Sequence, residues 1–277
     1  MYPMLNIAIR AASNAARIII RFIDRLDIVD IKEKNKNDFV TQVDQLSEQE
    51  IIQTIHKAYP DHTILSEESG LHKSKNDFIW IIDPLDGTTN FIHGFPKIAI
   101  SVALKYRDKL NVAVVYDPLG QELFTAVQGG GAQLNNRKIR VSTRTKISEM
   151  LIGTGFPFKG KALFQTYLKI FETIYPQTTG VRCAGAAALE LAYVAAGRLD
   201  GFWEMGLKPW DIAAGILLIT EAGGFVNNFQ GKNNYMENGN LIAGNAKTYK
   251  TLLELISKAI IDDNQLQPQS SKMTGIT

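Results

Sequence analysis

The stretch "FIWIIDPLDGTTNF", residues 78–91, constrains this chain more than any other. The run Phe78 to Ile82 reads as a strand buried on both faces, because a strand with one wet face would alternate apolar and polar residues. Asp83 closes that run, Pro84 holds the residue before it extended, and Leu85-Asp86-Gly87 turns the chain out of the sheet. Two carboxylates are thereby fixed at the rim of a core. At about 4 Å apart they would repel by about 4 kcal/mol at an effective dielectric near 20, so a cation belongs between them. Thr88 and Thr89 then open a helix or turn whose free N–H groups can face an anion.

More carboxylates stand at element ends. Glu67 and Glu68 close the strand-like "HTILS", and Asp44 and Asp211 start helices. Singly these are ordinary solvated ends and helix caps. Together, with no histidine or cysteine among them, they describe an all-oxygen site for a hard cation, magnesium before others because it keeps waters and shares positions with substrate phosphate. The single cysteine, Cys183, excludes an internal disulfide, and His56, His62, His72 and His93 lack zinc-ligand spacing. There is no GxSxG nucleophile, and Cys183, in an apolar stretch, reads as structural. "GFPFKGK", residues 155–161, copies the glycine and lysine spacing of a P-loop, but Ala162 stands where a hydroxyl must hold magnesium and Pro157 removes an N–H. It reads as a surface turn.

With 45% hydrophobic residues among 277, the chain can bury a large core, and a net charge of +2 gives no general pull toward nucleic acid or membrane. Leu5, Ala8, Ala12, Ala15, Ile19 and Phe22 sit at helical spacing, while Arg10, Arg17 and Arg21 break any signal-peptide core. No stretch approaches the roughly 20 apolar residues of a membrane span, and a reducing cytoplasm is the expected location. A polar turn "KEKNKND" and a helix near 43–59 precede a largely antiparallel sheet, with "DPLGQ" as a hairpin turn. From residue 151 strands and helices alternate, which suits a second sheet with helices on its faces. One domain of two tightly packed halves is expected, residues 1–145 and 146–262, followed by a polar tail, 263–277, that frays.

"WIIDPLDGTTNF" and "KPWDIAAGILLITEAGG" resemble the two signature stretches of the inositol monophosphatase family, and "LSEES" and "DFVTQVD" resemble its other two site segments, in the same order. The resemblance implies an α/β (α+β) fold, a layered α-β-α-β-α sandwich of the inositol monophosphatase and fructose bisphosphatase type, usually dimeric. It implies a magnesium-dependent, lithium-sensitive phosphomonoesterase that hydrolyses inositol 1-phosphate to myo-inositol and phosphate by metal-activated water. Two to three magnesium ions are implied for each site. Glu67, Asp83 and the carbonyl of Leu85 resemble ligands of one ion, and Asp83, Asp86 and Asp211 those of a second. Glu67 reaches a third, weaker ion through water, and with Asp44 and Thr88, which orient and deprotonate the attacking water, it makes up the catalytic set. The implied substrate contacts are Leu85, Asp86, Gly87, Thr88, Arg182, Gly185, Ala186, Ala187, Glu204 and Asp211, with Glu204 accepting from polyol hydroxyls. Lys34 and Lys36 each match the family's mobile-loop lysine.

The metal constellation alone does not choose among phosphomonoesters, so histidinol phosphate, a nucleotide 2′- or 3′-phosphate and fructose 1,6-bisphosphate stay open as substrates. "AGAAALELAYVAAGRLDGFWE" is similar to a bacterial subgroup that also serves in ribosomal-RNA transcription antitermination, which implies a transcription-complex protein or RNA as a second partner. The basic segment "NNRKIRVSTRTK", with Arg137, Lys138, Arg140, Arg144 and Lys146, reads either as a contact for RNA or an acidic surface, or as a charged edge that keeps a sheet from aggregating.

Overall fold

A computed structural model describes residues 2–35, 38–74, 76–157 and 161–266. Lys36 lies outside the described residues, as does the side chain of Lys34, so neither is assigned to the mobile loop. Residues 158–160 of the P-loop-like segment and residues 267–277 of the expected tail also lie outside them.

Ala8, Ala11, Ala12, Ala15, Ala16 and Ile19 form the buried face of α1 (Tyr2–Ile23), and their small side chains let α2 (Gln42–Ala58) pack closely beside it. Between these helices runs a hairpin of β1 (Ile31–Asn35) and β2 (Asp38–Thr41), placed where the sequence suggests only a polar turn. The first sheet contains β3 (Thr63–Ser66), β4 (Gly70–His72), β5 (Phe78–Asp86), β6 (Ala99–Tyr106), β7 (Lys109–Asp117), β8 (Glu122–Val127), β9 (Gly131–Leu134) and β10 (Arg137–Lys138), with α3 (Thr88–Ile92) following β5. Its strand order is β10-β9-β8-β7-β6-β5-β3-β4, antiparallel except for β3 beside β5. The "DPLGQ" turn joins β7 to β8, and Asp117 Oδ1 accepts the Leu119 and Gly120 N–H groups at 3.0 and 2.7 Å.

The second half comprises β11 (Leu151–Thr154), α4 (Lys161–Ile174), β12 (Gly180–Arg182), α5 (Ala187–Ala195), β13 (Gly201–Glu204), α6 (Pro209–Glu221), β14 (Phe225–Asn227), α7 (Tyr235–Asn238), β15 (Leu241–Gly244) and α8 (Ala246–Leu266). Its sheet runs β12-β11-β13-β15-β14. The last helix continues to Leu266, into the segment expected as tail.

Three cores separate five layers. Trp80 and Ile82 of β5 face α1 and α2, while Ile81 faces the core around α5 and α6 that lies between the two sheets. A third core, with Ile152, Tyr167, Trp203 and Ile256, seats α4 and α8 on the far side of the second sheet. This is the expected α-β-α-β-α sandwich, and β5 has apolar contacts on both faces, which is why its sequence is a continuous apolar run. Among the described residues, no helix is long and apolar enough to cross a membrane.

Candidate active site

The sequence reading ends the central strand at Asp83, but β5 runs on to Asp86 through a bulge. Asp83 is opposite Ser101 and Asp86 opposite Ala99, so three steps on β5 face two on β6. Pro84 falls inside the bulge, where no ladder hydrogen bond is required of it, and the extra residue turns the strand end. Leu85 N–H donates to Asp83 Oδ1 at 3.0 Å. Gly87 follows at φ +90°, and a Cβ there would come within 2.9 Å of the Lys97 carbonyl, so both conformation and space demand glycine.

Asp83 and Asp86 are buried, at 2% and 8% exposure. Burial first, then the charges of Glu67, Asp86 and Asp211, raises the Asp83 carboxyl well above the ordinary range. Asp86 is pushed to about 7 by burial, relieved in part by N–H groups at the start of α5: Ala188 donates to Oδ2 at 2.8 Å and Ala187 to Oδ1 at 3.2 Å. Asp211, at the third residue of α6, is also raised to about 7 by burial, relieved by the Lys208 N–H at 2.7 Å and raised further by Asp86. Glu67, Asp86 and Asp211 thus raise the proton affinity of Asp83, Glu67 that of Asp86, and Asp86 that of Asp211.

No group of three or more His, Cys, Asp or Glu among the described residues is arranged to hold a metal ion by side chains alone. The excess of buried negative charge fits a divalent cation for the same reason that it raises the carboxyls.

Asp44 is the third residue of α2 and wholly buried. Its Oδ2 accepts the Thr41 N–H at 2.7 Å and the Thr41 hydroxyl at 2.6 Å, a capping box that fixes the carboxylate. Its Oδ1 lies 2.8 Å from Thr88 Oγ1, which is also 3.1 Å from the Leu85 carbonyl. One hydroxyl proton cannot serve two acceptors. When Asp44 is ionised, Thr88 donates to it; when Asp44 is protonated, it donates to Thr88, whose own proton turns to Leu85. Burial raises the Asp44 carboxyl, against the hydrogen bonds from Thr41 and Thr88, which lower it.

Glu204 ends β13 with its carboxylate buried, and burial, then Glu190, Asp211 and Asp86, raises it well above the ordinary range. The turn through Gly185, Ala186 and Ala187 lies against Gly87 and the start of α3: Asn90 Nδ2 donates to the Ala184 carbonyl at 2.8 Å and to the Lys97 carbonyl at 2.6 Å. Arg182 does not join this cluster. It is exposed at the end of β12, and its Nη1 donates to the neighbouring Val181 carbonyl at 2.9 Å. Cys183 is exposed as a residue, but burial of its thiol, then Glu190 and Glu204, pushes the thiol up to about 11, away from nucleophilic use.

Three residues at the site go unmarked by sequence reasoning. Glu48 Oε1 accepts the Glu68 and Ser69 N–H groups at 3.2 and 3.1 Å and so holds the segment that carries Glu67. It is one helical turn from Asp44, and that spacing was the available signal. Asn90 lies within the signature stretch itself. Glu190, raised to about 8 chiefly by burial, accepts from the Ala184 and Gly185 N–H groups, and its Oε1 has no hydrogen-bond partner.

A bulged strand end, the Thr88 hydroxyl against Asp44 and a cluster of carboxylates meet at one place in a five-layer sandwich, the fold of a phosphatase family. The chain belongs to the inositol monophosphatase family, whose sequence pattern matches residues 1–261. The Nus factor SuhB of Pseudomonas aeruginosa is 52% identical over 261 residues, which cover 92% of this chain and 96% of that one. Among solved structures, the extragenic suppressor protein suhB from Bartonella henselae superposes with a TM-score of 0.90 at 40% identity, covering 92% of this chain and 99% of that one. The inositol monophosphatase from Anabaena (Nostoc) gives a TM-score of 0.80 at 34% identity, covering 93% of this chain and 96% of that one.

Proposed function

We propose that this chain is a magnesium-dependent phosphomonoesterase that hydrolyses inositol 1-phosphate to myo-inositol and phosphate. The hydrogen bond from Thr88 to Asp44, beside the buried Asp83 and Asp86 and the half-buried Asp211, is the observation that carries the reading. Glu67, Asp83 and the Leu85 carbonyl would hold one magnesium ion and Asp83, Asp86 and Asp211 a second, with Glu67 reaching a third through water. Bound there, the ions supply charge that acidifies the attacking water and neutralises the leaving oxygen. Thr88 orients that water and passes its proton to Asp44. The Gly87 and Thr88 N–H groups face the phosphate oxygens, while Asp86 and Asp211 border the ester. Glu204 accepts hydrogen bonds from ring hydroxyls, the Gly185–Ala187 turn forms the wall beside it, and Arg182 stands at the rim. The attack is in line and direct, with no phosphorylated enzyme group.

Magnesium-dependent phosphate release tests this across inositol 1-phosphate, histidinol phosphate, nucleotide 2′- and 3′-phosphates and fructose 1,6-bisphosphate. The highest kcat/KM is expected on inositol 1-phosphate; a higher value on another ester reassigns the substrate and leaves the metal site intact. The same reading takes the chain as a cytoplasmic homodimer, which light scattering on the purified protein checks.

The likeness to a protein named as a Nus factor favours a second role in transcription antitermination. Catalysis does not exclude it. Binding of the chain to transcription elongation complexes, compared between wild type and an inactive Asp83→Asn variant, separates the two roles: equal binding by both is expected.

A further inference from the structure

We infer that Gly155 sets the leaving-group specificity of this site, by leaving open the space that the Glu204 carboxylate occupies. The inference rests on the proposed polyol role of Glu204. Strand β11 ends at Thr154, which is paired with Trp203 on β13, so the next residue on each strand brings Gly155 beside Glu204. A Cβ added at Gly155 would overlap the carboxyl carbon and both carboxyl oxygens of Glu204. Gly155 is not among the glycines of positive φ, so its backbone would accept alanine without strain. Here glycine answers to a neighbouring side chain and not to a turn.

Gly153, two residues earlier on the same face of the strand, repeats the arrangement. A Cβ there would lie 3.2 Å from Glu190 Oε1, but also 2.9 Å from Leu199 and 3.0 Å from Phe202. Those apolar neighbours make Gly153 a packing position as well. At Gly155 the three nearest atoms all belong to the end of one flexible side chain. An alanine there therefore displaces Glu204 and leaves the surrounding fold in place. The leaving group this arrangement selects is one rich in hydroxyl donors, since a buried carboxylate has most to gain from donors that a ligand brings.

The test is a double-mutant cycle read as a substrate preference. The ratio of kcat/KM on inositol 1-phosphate to that on phenyl phosphate, which has no hydroxyls to offer Glu204, is measured for wild type, Gly155→Ala, Glu204→Gln and the double variant. The ratio is expected to fall about tenfold or more in Gly155→Ala, and no further in the double variant than in Glu204→Gln alone, because both changes remove one interaction. Glu204→Asp, one methylene shorter, should recover part of the preference in the Gly155→Ala background. Thermal melting shows whether Gly155→Ala remains folded; if it does not, and Gly155→Ala combined with Glu204→Gly, which removes the overlapping side chain, does not fold either, the glycine serves packing and the inference is overturned. An unchanged ratio in Gly155→Ala, equal losses on both substrates, or losses that multiply in the double variant would overturn the inference. A wild-type ratio near one, or one that Glu204→Gln leaves unaltered, removes the polyol reading itself and the inference with it.

Discussion

Thr88 and Asp44 are 44 positions apart in the chain, yet Thr88 Oγ1 lies 2.8 Å from Asp44 Oδ1. One residue opens the short helix after the central strand, and the other sits in the first turn of α2, where Thr41 fixes it. Neither element holds a proton acceptor and its relay alone. The contact is made by packing α2 against β5, so the site is a product of the tertiary fold.

Removing the relay should slow chemistry more than binding. Thr88→Ala is expected to lower kcat by about 100-fold or more, within the range for a lost general base, while Thr88→Ser keeps most of it because the hydroxyl stays in place. Steady-state kinetics at saturating magnesium read this directly. Equal damage from both substitutions would mean that Thr88 serves the turn and not the water.

Inhibition by ions should follow from the shared carboxylate. Asp86 and Asp211 both raise Asp83, so a small monovalent cation can take the position among the three once phosphate has formed. Lithium is expected to inhibit, and excess magnesium to inhibit by delaying product release. Turnover assays across a lithium series check this; activity untouched at tens of millimolar would place the chain among more distant relatives.

The carboxylates also fix a pH dependence. Asp86 and Asp211 each protonate at about 7 in the folded chain, against 3.8 for an unperturbed aspartate. A proton held more tightly by the folded state stabilises it, so the metal-free stabilisation is complete below about pH 4 and is lost as pH rises through about 7. Magnesium competes with those protons and its stabilising effect should grow over the same window. Melting in chelator is expected to be lower at about pH 8 than at about pH 5.5, with added magnesium narrowing or reversing the gap. A gap that magnesium leaves unchanged would assign the dependence to other groups.

The carboxylate positions were legible because each stands at the start or end of an element, where periodicity breaks. Asp83 ended an apolar run and Asp211 followed Trp210 at a helix start, both visible without partners. The change of period showed helices on a largely antiparallel sheet and then a second sheet with helices on its faces, and the α-β-α-β-α layering came from the family resemblance. The β5 bulge was not, since Pro84 reads as a stop and only pairing with β6 shows the strand continuing to Asp86. The β1–β2 hairpin was hidden by lysines and asparagines that mimic a loop. In the basic segment only Arg137 and Lys138 form an edge strand, and Arg144 instead pairs with buried Asp200 at 3.2 Å, a partner 56 positions away that no local pattern announces. Glu190 was missed for the same reason, because an apolar helix with one acid reads as ordinary until Gly153 and Glu204 are placed beside it.

Asp83, proposed as the ligand shared by two metal positions in a hydrolytic site, is tested most directly by Asp83→Asn. The substitution keeps the side chain's shape, and removes a buried charge that Glu67, Asp86 and Asp211 all oppose. Turnover of inositol 1-phosphate should fall by about 1,000-fold or more, while the melting temperature without metal stays level or rises, because repulsion is relieved and the asparagine carbonyl can still accept the Leu85 N–H. An Asp83→Asn protein that retains near-normal magnesium-dependent turnover would contradict the account.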